Sequence, residues 1–142
     1  MSFSFDDFVN TLNEMEGRLT KNVRNALHKN ALRAMRAAKI NATSFPRVVT
    51  GRLRNSITGT TIVKDGLLTA ILRAGGHSIA GNDPRLNPPA EVVYAAVQEF
   101  GGGPFNIRPK RYMQRARDKV LPRFNADIDK ATRLALEGKN FG

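Results

Sequence analysis

The chain has 142 residues, 41% of them hydrophobic, and 23 lysines and arginines against 12 acids give it a formal charge of +11. This length fits one domain, 1–142, able to bury roughly two-thirds of its unfolded surface, and the composition is neither disordered nor fibrous. The absence of cysteine excludes disulfides, thiolate zinc sites and cysteine nucleophiles, and no window approaches eighteen uninterrupted apolar residues, so no membrane span is expected.

The chain opens with MSFSFDDFVN, which has two acids where a signal peptide carries lysine or arginine. Asp6 or Asp7 suits a helix N-cap, since a short carboxylate accepts from the unpaired amides of a first turn. Placed at 100° steps, Phe8, Val9, Leu12, Met15, Leu19, Val23, Ala26, Leu27, Ala34, Ala37 and Ala38 share one broad face. Arg18, Lys21, Arg24, Lys29, Arg33, Arg36 and Lys39 share the other. The pattern predicts a helix of about 34 residues, on the order of 50 Å long. The alternative is two helices divided near Gly17 or at Asn25–Asn30. A helix longer than its domain is wide projects onto a neighbour, which points to an oligomer.

Helical patterning ends at Ser44-Phe-Pro-Arg47. Thr50 to Ser56 reads as one turn of helix capped by Thr50. From Ile57 to Ala74 the period becomes two, with Asp65-Gly66 as a hairpin turn. A two-residue turn pairs Val63 with Leu68, Thr61 with Ala70, Gly59 with Leu72 and Ile57 with Ala74, which gathers the apolar residues on one face. Gly75 to Pro89 is a long loop rich in glycine, proline and asparagine.

Ala90 to Phe100 is expected to form a short helix begun by Glu91 and ended by a left-handed cap within Gly101–Gly103. Phe105 to Arg108 suits a third strand. Lys110 to about Gly138 places Tyr112, Met113, Ala116, Val120, Phe124, Ile128, Ala131, Leu134 and Ala135 on one half of a last helix, with a kink or break at Pro122. The predicted fold class is α+β. A small antiparallel sheet, the hairpin 57–74 plus a short third strand near 105–108, is packed by the long N-terminal helix and the C-terminal helix.

Chemistry-bearing residues are few. His28 and His77 lack a metal spacing, and Ser56 and Ser78 lack a nucleophile-elbow context. Glu91 and Glu99 are too far apart for one focused acid-base site. Glu99 suits a salt bridge or an amide contact, and Phe100 suits an anchor in the core. No catalytic, cofactor or metal site is expected. From Gly17 to Lys64 there are eleven cations and no acid, and from Arg108 to Arg123 seven cations against Asp118. The basic helix face suits DNA or an acidic protein, or is a solvated face. One reading is a basic nucleic-acid-binding architectural protein, whose affinity would fall steeply with salt. The face, however, has no interleaved aromatics and the chain no legible nucleic-acid motif.

Three pieces in order carry a resemblance: Thr50-Gly-Arg-Leu-Arg-Asn-Ser-Ile57, Tyr94-Ala-Ala-Val-Gln-Glu-Phe-Gly101 and Ile107-Arg-Pro-Lys-Arg-Tyr-Met113. Together they resemble the neck, or head-tail joining, proteins of tailed bacteriophages, also described as minor tail or tail completion components. The matching positions are Thr50, Gly51, Arg52, Leu53, Tyr94, Glu99, Phe100, Gly101, Pro109 and Tyr112. The chain departs at Lys110-Arg111-Tyr112, where such proteins commonly have proline then phenylalanine. The resemblance implies a non-enzymatic virion subunit, assembled in the host cytoplasm, that forms a homo-oligomeric ring. Its implied neighbours are the portal or adaptor, head-completion and tail terminator proteins, with packaged DNA passing through the ring. A tail terminator or minor tail component is the alternative within that class.

Overall fold

The computed structural model describes residues 4–44, 52–74, 76–77, 91–92, 95–102, 106 and 108–142. In chain order they form α1 (Phe5–Ser44), α2 (Arg52–Ser56), β1 (Thr58–Lys64), β2 (Leu67–Arg73), β3 (Gly76–His77), β4 (Glu91–Val92), α3 (Ala95–Phe100) and α4 (Tyr112–Leu136). The α+β class holds, with a long first helix, an antiparallel hairpin and a long last helix.

α1 is one helix of 40 residues, about 60 Å at 1.5 Å per residue. Neither Gly17 nor the Asn25–Asn30 region divides it. Its cap is Ser4, in place of the expected Asp6 or Asp7. The Asp7 amide donates to Ser4 Oγ (3.1 Å), while Asp7 Oδ2 accepts from the Ser4 amide (3.0 Å) and hydroxyl (2.8 Å). This reciprocal box satisfies two end groups at once. These bonds, the backbone one first, hold the Asp7 carboxyl below its ordinary range.

α4 runs antiparallel to α1. Near one end Asn41 Nδ2 donates to the Tyr112 carbonyl (3.1 Å); near the other Asn22 Nδ2 donates to the carbonyls of Ala131 (3.3 Å) and Lys139 (2.9 Å). Between them the core is largely alanine. Ala37, Ala38 and Ala42 pack with Ile57, Tyr112 and Ala116, and Ala26 packs with Ala131 and Phe141. Of the expected kink or break near Leu121, the break does not occur: α4 continues through Pro122. Pro122 is exposed, and Ala116 and Ala131, buried on either side of it, anchor both halves. The helix stops at Gly138, whose φ is +76°. The Gly138 amide donates to Ala135 O (3.1 Å) and the Lys139 amide to Leu134 O (2.7 Å), a Schellman closure. Asn22 Oδ1 then accepts from the Phe141 amide (3.0 Å), folding the tail back onto α1.

β1 and β2 pair in the expected register, Val63 with Leu68, Thr61 with Ala70 and Gly59 with Leu72. Asp65 and Gly66 both have positive φ, 51° and 75°, as a two-residue turn matched to strand twist requires. The hairpin lies on α1 so closely that a Cβ at Gly59 would collide with the Ala31 carbonyl oxygen and sit 3.1 Å from Met35 Cβ.

Two expectations are corrected here, and a third falls on residues outside those described. Among the described residues no third strand is seen near 105–108: Asn106 occupies a turn at φ 48°, Arg108 is outside any strand, and Phe105 and Ile107 lie outside the described residues. Pro104 and Pro109 flank this segment and carry no amide to donate to a ladder. The short helix starts at Ala95, and Glu91 pairs with His77 in a second two-stranded ladder in place of capping the helix; the Val92-Val93 pair favours extended backbone. The expected Thr50 cap lies outside the described residues.

Gly59→Ala is expected to destabilise the protein by about 1–3 kcal/mol through overpacking. Urea denaturation with an unchanged m value checks it, and Gly17→Ala, whose added methyl meets no atom within 4 Å, is the contrasting control, expected to stabilise by up to about 1 kcal/mol through helix propensity.

Candidate assembly surfaces

The corner between α3 and α4 is built around Glu99. α4 begins after Arg111, which sits at φ 49°, ψ 39° and makes no side-chain cap. Its first amides take a carboxylate from another element: Met113 N–H donates to Glu99 Oε2 and Gln114 N–H to Glu99 Oε1, each at 2.9 Å. The negative group lies at the positive end of the helix dipole. Backbone bonds close the corner, Lys110 N–H to Gln98 O (2.9 Å) and Arg111 N–H to Glu99 O (3.2 Å). Gly101 and Gly102, at φ 77° and 94°, make the reversal that brings the chain back. Tyr112 is buried and its hydroxyl donates to Ala95 O (3.3 Å).

Phe100 does not anchor this corner. It is 79% exposed, whereas Glu99 is buried; on a six-residue helix only one of two adjacent residues can face inward, and the amides of α4 select the carboxylate. Leu53 packs against the Ala37–Tyr112 cluster, Arg52 opens α2, and Pro109 is exposed. Thr50, Gly51 and Tyr94 lie outside the described residues.

The basic face of α1 is divided. Lys21, Arg24, Lys29 and Arg36 are exposed, and Arg18, Arg33 and Lys39 are half-buried. Arg33 pairs with Asp127, which also accepts from Asn30 Nδ2 (2.9 Å). Lys29 Nζ stands 5.5 Å from the Phe141 ring centroid, and Arg18 lies beside Gly138 at the C-terminal end of α4, where a cation is favoured. Desolvation opposes ionisation of Asp127, yet the Asn30 bond, Arg33 and the charge of Lys29 outweigh it and hold the carboxyl below its ordinary value. Asn22, Asn30 and Asp127 were not singled out by the sequence. The signal was present as two asparagines at helical spacing around Ala26, on the face otherwise read as apolar.

Two apolar surfaces remain. Every residue of α1 from Phe5 to Glu14 is exposed. Toward the start of α1, Arg18 and Asn22 are met by α4 and its tail, and the exposed turns before them overhang as an arm. A groove of about 690 Å³ also opens between α1, β2, the end of α3 and α4. Among the described residues no group of His, Cys, Asp or Glu is placed to hold a metal ion, and no helix is long and apolar enough to cross a membrane.

A family model described as "Bacteriophage HK97-gp10, putative tail-component" matches residues 6–101, the stretch from the first turn of α1 to the glycine that ends α3. No curated protein and no solved structure matches the chain.

Glu99→Gln turns one acceptor into a donor facing an amide, and its expected cost is about 1–3 kcal/mol; Phe100→Ala is expected to cost less than about 0.5 kcal/mol. Thermal unfolding of the two variants checks this inversion of acid and aromatic. Asp127 has a lowered folded value, so the stability it contributes is present above its ordinary 3.8 and lost as pH falls below it. The stability gap between wild type and Asp127→Asn is therefore expected to shrink between about pH 5 and about pH 2 in denaturant titrations.

Proposed function

Since the chain belongs to the HK97-gp10-like family of bacteriophage tail components, we propose that it is a non-enzymatic structural protein of a tailed-phage virion. It forms a ring in the neck between the portal and head-completion proteins and the tail, and packaged DNA passes through that ring. The observation that carries this reading is the overhanging arm of α1. Phe5, Phe8, Val9 and Leu12 are exposed on it, and burying such side chains is worth roughly 1.5–3 kcal/mol each. An apolar helix with nothing of its own chain against it is built for a neighbour in an assembly.

The exposed cations Lys21, Arg24 and Arg36 give the outer face of α1 its charge, which suits an acidic neighbouring ring or DNA in transit. As Arg33 is held by Asp127 and Arg18 lies against the end of α4, the exposed cations that this face of α1 offers a duplex are Lys21, Arg24, Lys29 and Arg36. This favours the structural reading over an architectural nucleic-acid-binding protein.

Two measurements test the proposal. Purified protein mixed with the neighbouring portal, head-completion or tail terminator proteins is expected to give rings in light scattering and negative-stain images; a monomer beside every one of them overturns it. In a duplex titration the monomer is expected to bind weakly, with log affinity falling against log salt no more steeply than about −4 if those four cations reach phosphates. Tight binding with a much steeper slope supports the nucleic-acid reading instead.

A further inference from the structure

We propose that the α1 arm of one copy docks in the groove of the next, its Phe5, Phe8, Val9 and Leu12 seated between α1, β2 and α4 of that neighbour. The inference rests on the ring reading and supplies its contact.

The arm has the form of a helix that binds in a groove. Its apolar residues stand at i, i+3, i+4 and i+7, the spacing by which an amphipathic helix presents anchors, and they are 78%, 47%, 36% and 48% exposed. The groove has the matching form. Ala31 and Ala34 make a floor of small side chains, Leu72 and Phe124 stand in the walls, and Phe100 and Leu121 lie at its open edge, 79% and 47% exposed. Glu99 is the one carboxylate in its lining, and both its oxygens already accept from α4 amides. What remains is a largely apolar trough whose carboxylate is already satisfied.

The arm cannot reach its own groove. The same helix forms the floor, and from Leu12 to Leu27 it rises fifteen residues, about 22 Å, without interruption. Contact is therefore made in trans. The arm and the groove are different patches of one surface, so their pairing is heterologous, the arrangement that closes into a ring when the rotation between copies allows.

Charge identifies the occupant as a second copy. The first 17 residues carry four acids, Asp6, Asp7, Glu14 and Glu16, and no lysine or arginine, while the other 125 carry 23 cations against eight acids. The α4 stretch beside the groove, from Met113 to Phe124, has Arg115, Arg117, Lys119 and Arg123 against Asp118, and Arg117 lines the groove. An acidic apolar helix meeting a basic apolar groove is complementary in both terms. Two basic bodies of this kind would otherwise repel.

The test uses the full chain in two forms. An arm variant carries Phe8→Asp and Leu12→Asp, and a groove variant carries Phe100→Ser and Leu121→Glu, all at exposed positions; circular dichroism and thermal unfolding verify that both fold. In light scattering each variant alone is expected to self-associate at least about tenfold more weakly than wild type. Mixed one to one they are expected to form a heterodimer and stop there, because one intact arm and one intact groove are left to meet. If the arm variant assembles like wild type, or the mixture stays monomeric while wild type assembles, the arm–groove contact is wrong and the ring reading survives. Loss of binding to a portal or tail protein by an arm variant that still self-assembles assigns the arm to that partner and overturns the second-copy proposal. A wild type that is monomeric at every concentration and beside every virion neighbour removes both.

Discussion

The contact on which the other features depend is the alanine seam between α1 and α4. Alanine buries little area, so the seam gains its stability by letting two backbones approach closely along their length. It gains its register from polar groups. Asn22 bonds two carbonyls and one amide of the α4 end and tail, and Asn30 reaches Asp127. A slip of α4 by one turn, about 5.4 Å, would strand both buried amides, and an unpaired buried polar group costs on the order of 1–3 kcal/mol. An apolar seam of equal-sized side chains has no comparable preference. Fixing the register also fixes where α4 ends, and that leaves the first turns of α1 overhanging.

The same seam accounts for the α3–α4 corner. Tyr112 belongs to the core cluster with Ala38 and Ala116, so α4 must begin at a set height against α1. The residue before it, Arg111, is left-handed and offers no cap. The unsatisfied amides of that first turn need an acceptor, and Glu99 supplies one from fourteen residues upstream. Glycines at 101 and 102 provide the positive φ that the return path demands. The acid-aromatic-glycine order thus has a mechanical meaning: the acid holds the next helix, the glycines turn the chain, and the aromatic is left outside.

Legibility in the sequence followed how local the determining interaction was. The hairpin register was readable because Asp65-Gly66 and the alternation on either side act within a few residues. The long helices were readable from periodicity. The cap of α1 was displaced by only a few positions, since Ser4 and Asp7 bond each other and either end of the box can be taken for the cap. Phe100 was misplaced because hydrophobicity alone assigns it inward, and the competing demand comes from α4 amides that no local window contains. The pairing of Gly76–His77 with Glu91–Val92 spans a stretch without a period. Phe8, Val9 and Leu12 share the apolar face of α1 and are exposed for a related reason: a periodic pattern reports that a face is to be covered, and it does not report by whom.

That last point links the fold to assembly. A helix face patterned for burial but exposed in the single chain is a defect in a monomer and an instruction in an oligomer. The distribution of charge sharpens it. Copies bearing a formal +11 repel at distances comparable with the Debye length, about 8 Å at physiological salt, so self-association needs a short-range attraction that begins inside that distance. An acidic arm projecting from a basic body supplies one, because its charge meets the neighbour before the two bodies do. It also orients the encounter, since an arm meeting another arm is repelled while an arm meeting a basic body is attracted. With docked arms the residual positive charge is concentrated on the remaining surface, and the assembled particle attracts a polyanion or an acidic ring more strongly than the single chain does. In such a particle DNA affinity would be a property acquired on assembly, with no requirement for a nucleic-acid motif in the chain itself.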